Sequence, residues 1–193
     1  GLVLTLLFGL FKFINIAYGE YMAWGAYFTL LSKVIGLPFV AAILVGVIGG
    51  GVVAIAADRI VFQNFSNRSP VVLLVVSIGV SFILRNLIRL LVPSQYTTAL
   101  YGVELLHVPN IAGITILGNQ VVVLVLSVLT LGGVFLLLNR TRIGIAMRAA
   151  SDDTDLARIR GIDTDRLVIY VTALGGTVAG IAGIMLGLES QGT

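Results

Sequence analysis

The chain has 193 residues, 58% of them hydrophobic and only 11% charged, with a formal net charge of +3. A soluble domain carries about 25% charged residues, so this composition excludes an ordinary water-soluble domain and points to a bilayer. The absence of cysteine and the single histidine, His107, exclude a disulfide framework, a thiolate metal site and a His-based metal cluster within one chain.

Residues 1–14 form an apolar run without the basic n-region of a signal peptide. The chain begins inside that run and ends just past another, so it is expected to be a piece of a longer reading frame, truncated at both ends. A second short apolar piece covers 21–31. Neither is comfortably long for a span, which predicts a broken or re-entrant helix around Asn15, Tyr18, Gly19 and Glu20. Such a break is tolerated only where protein buries it or water reaches it. Glu20 at membrane depth would be a functional residue. The favoured expectation is instead an interfacial turn, with Glu20 at the cytoplasmic headgroup level and Lys12 nearby to pair with it or snorkel. A gate or inner-mouth role for Asn15 and Glu20 is the alternative.

Four stretches of membrane length follow, at 37–57, 70–92, 120–138 and 167–188. Pro38 and Pro70 fit helix first turns, where a missing N–H costs nothing, and Ser69 is a candidate N-cap. Along the third segment Ser77, Ser81, Arg85 and Arg89 recur every four residues and share one helix face. One reading has the arginines snorkelling and the serines bonding back to their own helix. In the other, Arg85 with Asn86 meets a substrate carboxylate. Residues 93–119 hold turn residues and a short alternating pattern, so a small β-hairpin or irregular cap is expected there. Gly46, Gly50 and Ala54, and again Gly175, Ala179, Gly183 and Gly187 flanked by Gly176 and Gly180, form small-residue stripes that let helices approach closely. Packing within one subunit is the expected use, and a subunit interface or sliding surface the alternative.

Half of the twelve basic residues lie in 139–166, while 93–119 has none. The Lys/Arg bias puts 139–166 and 58–69 in the cytoplasm and 93–119 outside. Within the basic loop, 144–150 is expected to extend the preceding span along the interface. Ser151 and Asp152 can cap a short new helix, Asp153 and Asp155 suit its N-terminus, and Arg158 and Arg160 its last turn. Gly161 is a natural residue to follow it. Leu156, Ile159 and Ile162 place apolar groups toward one side. An ordinary amphipathic connector is the competing reading of this loop.

The run 144–162, GIAMRAASDDTDLARIRGI, resembles the cytoplasmic coupling loop of membrane subunits of ABC importers, in particular permeases of the branched-chain amino acid (Liv-type, HAAT) family. The matching positions are Gly144, Ala146, Met147, Arg148, Ala149, Asp153, Ala157, Gly161 and Ile162. Residues 14–27, INIAYGEYMAWGAY, are similar to the family's Asn-(Phe)-Ala-His-Gly-Glu segment ending in Gly-Ala-Tyr. Residues 69–86 are similar to its Ile-Gly-(small)-Ser-Leu-Ile-Leu-Gln-Asn helix, and 174–188 to its small-residue span. Tyr18 stands where the family has His and Arg85 where Gln is usual, departures that bear on substrate identity.

The resemblance implies an all-α, polytopic transmembrane bundle: one permease domain over 1–193, with six membrane segments, in the cytoplasmic membrane of a prokaryote. It implies an importer of branched-chain or other small amino acids. The partners would be a second permease subunit (identical or similar), two cytoplasmic ABC ATPase subunits, an external substrate-binding protein and the lipid bilayer. Nucleic acid is not among them. ATP and Mg would be bound by the ATPases, since this chain has no GxxxxGK[ST] pattern, and no enzyme activity or metal site of its own is expected. Gly144, Arg148, Ala149, Asp152, Asp153, Ala157, Arg158 and Gly161 would form the ATPase-coupling loop, and Asn15, Glu20, Ser77, Ser81 and Arg85 are the candidate pathway or gate. Rival readings are an ABC permease for urea, short amides or sugars, part of an ion-driven secondary transporter, or a membrane enzyme or scaffold.

Overall fold

A computed structural model of the chain describes residues 15–65, 68–91 and 118–189. The expected elements at 1–14, with Lys12, and the expected external hairpin up to residue 117 lie outside the described residues. Within them the regular structure is helical: α1 (Tyr18–Val34), α2 (Phe39–Ile60), a 3-10 turn (Phe62–Phe65), α3 (Pro70–Leu91), α4 (Gly118–Arg140), α5 (Arg142–Asp152), α6 (Thr154–Ile159) and α7 (Thr164–Glu189).

Four of these segments are long and apolar enough to cross a membrane: Phe39–Phe65, Pro70–Leu91, Gln120–Arg140 and Arg166–Glu189. The last three coincide with the expected spans to within two residues, whereas the first runs to Phe65, past its expected end at 57. Helix α1 has 17 residues, about 25 Å at 1.5 Å per residue, short of the roughly 30 Å hydrocarbon core. Its outer end is closed by Gly36 at φ 90. Gly36 N–H donates to the Lys33 carbonyl and Leu37 N–H to the Ser32 carbonyl, so two end carbonyls of α1 are satisfied as the chain turns into α2. Ser69 precedes α3 as expected, and its carbonyl accepts from Leu73 N–H.

Helices α1, α2 and α7 pack against one another along surfaces of small residues. A Cβ placed on Gly25 would lie 2.9 Å from the Gly180 carbonyl oxygen, and one on Gly50 would lie 2.8 Å from the Gly176 carbonyl oxygen. Any side chain there would therefore push on backbone, which has nowhere to go. The stripes thus serve packing inside the chain. Helix α3 leans on α1 and on the 3-10 turn, with Leu73 and Val80 buried beside Ala17, Tyr21, Ala54 and Phe62. On the far side, α4 lies along α7. A second cluster of Val134, Leu138, Met147, Ala150, Ala157, Leu167 and Val171 joins the end of α4, α5 and α6 to the start of α7. Much of α3 and α4 is exposed and apolar, including Val75, Phe82, Ile83, Leu124, Val128 and Leu131, a surface suited to lipid or to another membrane helix.

The tight seam gives a direct expectation. Gly25→Leu or Gly50→Leu separates three helices and lowers the thermal midpoint of the detergent-purified protein, a loss of at least the roughly 1–3 kcal/mol of ordinary overpacking. Gly132→Leu, where an added Cβ meets nothing within 4 Å, leaves it close to wild type in the same melting experiment.

Candidate functional site

The chain enters α1 through Asn15, Ile16 and Ala17. The approach to the helix is itself hydrogen-bonded. Ile16 N–H donates to Ser77 Oγ of α3 at 3.2 Å, and Ala17 N–H to Asn15 Oδ1 at 3.0 Å. Ser77, fully buried, donates its own proton to the Leu74 carbonyl at 2.7 Å. Asn15 thus braces the residue just before the helix, and Ser77 ties the approach to α1 onto α3. Tyr18 reaches across to α7, where a Cβ on Gly175 would sit 2.7 Å from its hydroxyl. Its ring meets Tyr21 edge to face at 5.1 Å. The Tyr21 hydroxyl is buried without a hydrogen-bond partner among the described residues.

Glu20, in the first turn of α1, is 6% exposed. Its Oε1 accepts from Ser81 Oγ at 3.2 Å, from Arg85 Nε at 3.0 Å and from Arg85 Nη2 at 2.8 Å. The polar stripe of α3 is thus turned onto the start of α1, and three of its four members, Ser77, Ser81 and Arg85, meet residues 16–20. Asn86 does not join them; its side chain bonds back to the Phe82 carbonyl at 2.7 Å.

The depth of this cluster corrects one expectation. Ser81 lies eleven residues past Pro70, roughly 16 Å along a helix of 22 residues that is about 33 Å long. Its partner Glu20 therefore sits near mid-span and not at the cytoplasmic headgroups. Two short apolar pieces with a break were visible in the sequence; the partner that allows a carboxylate at this depth is 65 residues away. A signal did exist, since Glu20 and Arg85 are opposite charges each embedded in an apolar stretch, and such charges need a partner.

The basic loop, expected on the cytoplasmic side, folds as two short helices. Thr141 ends α4, bonding the Leu137 carbonyl at 2.6 Å, and starts α5 by accepting from Gly144 N–H at 3.0 Å. So 142–152 is a helix of its own and not an extension of the span. Gly144 is needed at the bend, because a Cβ there would lie 2.7 Å from the Leu138 carbonyl oxygen. The cap of α6 is Asp153, whose Oδ1 accepts from Leu156 N–H at 3.0 Å. Ser151 and Asp152, expected in that role, belong to the last turn of α5, and Ser151 Oγ bonds the Arg148 carbonyl. Gly161 does close α6, at φ 82. Its N–H donates to the Arg158 carbonyl and Ile162 N–H to the Ala157 carbonyl, the paired bonds of a glycine-terminated helix. Ala157 is buried, Ala149 and Asp152 are exposed, and Leu156 and Ile159 are 50% and 83% exposed. Arg158 Nε holds Thr164 Oγ1 at 2.8 Å, tying α6 to the first residue of α7, and Arg148 Nη1 holds Asn139 Oδ1 at 3.0 Å. Asp163 caps α7 through Arg166 N–H at 3.1 Å and pairs with the Arg166 side chain at 2.9 Å. No group of metal-ligating side chains occurs among the described residues.

Over residues 1–193 the chain matches a sequence family described as branched-chain amino acid transport system, permease component. It is similar to the high-affinity branched-chain amino acid transport system permease protein BraD of Pseudomonas aeruginosa, 23% identical over 96% of this chain and 64% of that protein. The corresponding permease protein LivH of Escherichia coli is 28% identical over 95% of this chain and 63% of its own length. A probable LivH permease of Methanocaldococcus jannaschii is 28% identical over 89% of this chain and 56% of its length. The chain thus spans less than two thirds of the curated relatives it matches. No solved structure matches it.

The cap of α6 is open to a direct check. Removing an N-cap carboxylate costs about 1 kcal/mol, and a six-residue helix has little other support. Asp153→Ala is expected to speed amide hydrogen exchange at Leu156 about fivefold while leaving exchange in α7 unchanged.

Proposed function

Since the chain belongs to the family of branched-chain amino acid transport system permease components, we propose that it is the membrane-spanning subunit of an ATP-driven importer of branched-chain or other small amino acids. It works with a second permease subunit, two cytoplasmic ATPase subunits that hold ATP and Mg, and an external substrate-binding protein. The observation that carries this reading is α6. A helix of six residues, capped by Asp153 and closed by Gly161, presents Leu156 and Ile159 outward on the side that the arginine bias assigns to the cytoplasm. Two apolar side chains on a fixed, charged knob suit a cleft on a soluble partner better than they suit water.

The route from α6 to the membrane is short. Arg158 bonds Thr164 at the start of α7, and Ala157 packs in the cluster that joins α4, α5 and α7. A push on α6 therefore moves α7. Because α7 meets α1 and α2 backbone to backbone at glycines, it carries α1, and with it the Glu20 cluster, as one body. ATPase closure would use this linkage to expose the pathway to one side and then the other.

The rival readings have less support. A sugar, urea or short-amide importer shares the architecture, but the relatives' names favour branched-chain amino acids. An ion-driven transporter would want several acids at membrane depth. Among the described residues of the spans, Glu20 and Asp58 are buried, and Asp58 lies near the cytoplasmic end of α2 with Gln63 Nε2 at 3.4 Å.

The test is co-purification of the full-length chain with its ATPase. Leu156→Glu/Ile159→Glu places charge on the two exposed side chains without touching a buried one. Recovery of the ATPase is expected to fall about tenfold or more, with membrane insertion unchanged; undiminished recovery would remove α6 from the interface.

A further inference from the structure

We propose that Glu20 and Arg85 form a subsite for a zwitterion, in which the α-ammonium of an amino acid replaces the guanidinium at Glu20 while Arg85 takes the α-carboxylate. This deepens the proposed import function and rests on it.

The geometry is that of a pair half engaged. All three bonds to the carboxylate fall on one oxygen: Ser81 Oγ, Arg85 Nε and Arg85 Nη2 each donate to Glu20 Oε1. No bond of Glu20 Oε2 or Arg85 Nη1 to another described residue accompanies these three, and Glu20 Oε2 is not a fully buried atom left unpaired. One carboxylate oxygen of Glu20 and one guanidinium N–H group of Arg85 are therefore open to a further partner. An ammonium needs the first and a carboxylate the second.

Exposure and depth point the same way. The Glu20 side chain is 8% exposed and that of Arg85 55%. Arg85 lies fifteen residues into α3, roughly 22 Å from its cytoplasmic end, well inside a bilayer-length span. An arginine turned half outward there against hydrocarbon would be costly. The exposed side of the pair is therefore expected to face a water-filled path or a neighbouring subunit lining one. A buried pair used purely as glue is better enclosed than this, since solvent weakens its attraction. The carboxylate is held firmly: Glu20 sits in the first turn of α1, where the helix dipole favours negative charge. Arg85, on a long flexible stem, is the partner able to swing between Glu20 and an incoming carboxylate. Exchange of one ion pair for two keeps every charge compensated throughout, so no bare charge is left at membrane depth.

The pair can be neutralised without leaving a bare charge. The full-length permease, reconstituted with its ATPase and binding protein in proteoliposomes, is compared with Glu20→Gln/Arg85→Gln for ATP-dependent uptake of radiolabelled leucine. The same purified assemblies, without binding protein, are melted in the presence of leucine, of isoamylamine (no carboxylate) and of 4-methylpentanoate (no ammonium). The proposal expects leucine, and neither half-analogue, to raise the melting temperature of the wild type. It expects that shift to vanish in the double variant and uptake to fall about tenfold or more, with membrane insertion and ATPase association retained. Uptake by the double variant within twofold of wild type, or an unchanged leucine shift, overturns the subsite and leaves the import reading standing. Absence of ATP-dependent amino acid uptake by the wild type overturns the import reading itself, and the subsite with it.

Discussion

A helix that begins inside a bilayer must have its first N–H groups satisfied by protein, because hydrocarbon offers no acceptor. The two amides that lead into α1, those of Ile16 and Ala17, find their acceptors in Ser77 of α3 and in Asn15. The rest of the arrangement follows from this. Fixing the start of α1 near mid-span sets Glu20 facing α3, where Ser81 and Arg85 stand one and two helical turns beyond Ser77. The same polar stripe therefore holds the approach to a helix, anchors a carboxylate and supplies its counter-charge.

The polar cluster would be of little mechanical use if α1 could move alone. It cannot, because the contacts of Gly25 and Gly50 with Gly180 and Gly176 bring three backbones together without intervening side chains. Helix α7 is at once a member of that block and the direct continuation of the cytoplasmic knob, through Asp163, Thr164 and the Arg158 bond. Force applied at α6 and the position of Glu20 are thus linked by packed elements with few compliant joints. The loop that carries α6 is held by much local chemistry: Thr141 and Asp153 as caps, Gly144 at a bend and Gly161 in a left-handed turn.

Much of this was legible in the sequence, because hydrophobic length and glycine placement are local signals. The four long spans, the break near residue 15, the small-residue stripes and the glycine after α6 could all be read from composition and spacing, and the family resemblance agrees with the profile match over the whole chain. What could not be read was tertiary. The Lys/Arg rule fixes which side a loop lies on, but not how deep a turn penetrates, so Glu20 was assigned to the headgroups until its bond to Arg85 placed it mid-span. The cap of α6 was misplaced by one or two residues, from Ser151 or Asp152 to Asp153, because three consecutive capping residues compete and the end of α5 decides between them. Arg148 and Arg158, expected in the coupling loop, hold Asn139 and Thr164 within the chain. The sequence supplied those arginines; only the fold showed their partners.

We propose that this chain is the membrane part of an ATP-driven amino acid importer. The most direct test is the energy source for uptake of radiolabelled leucine by the full-length permease in proteoliposomes with its partner ATPase and binding protein. The account predicts accumulation that requires ATP and all three proteins and survives collapse of the proton and sodium gradients. Accumulation driven by either gradient, with the ATPase left out, would contradict it.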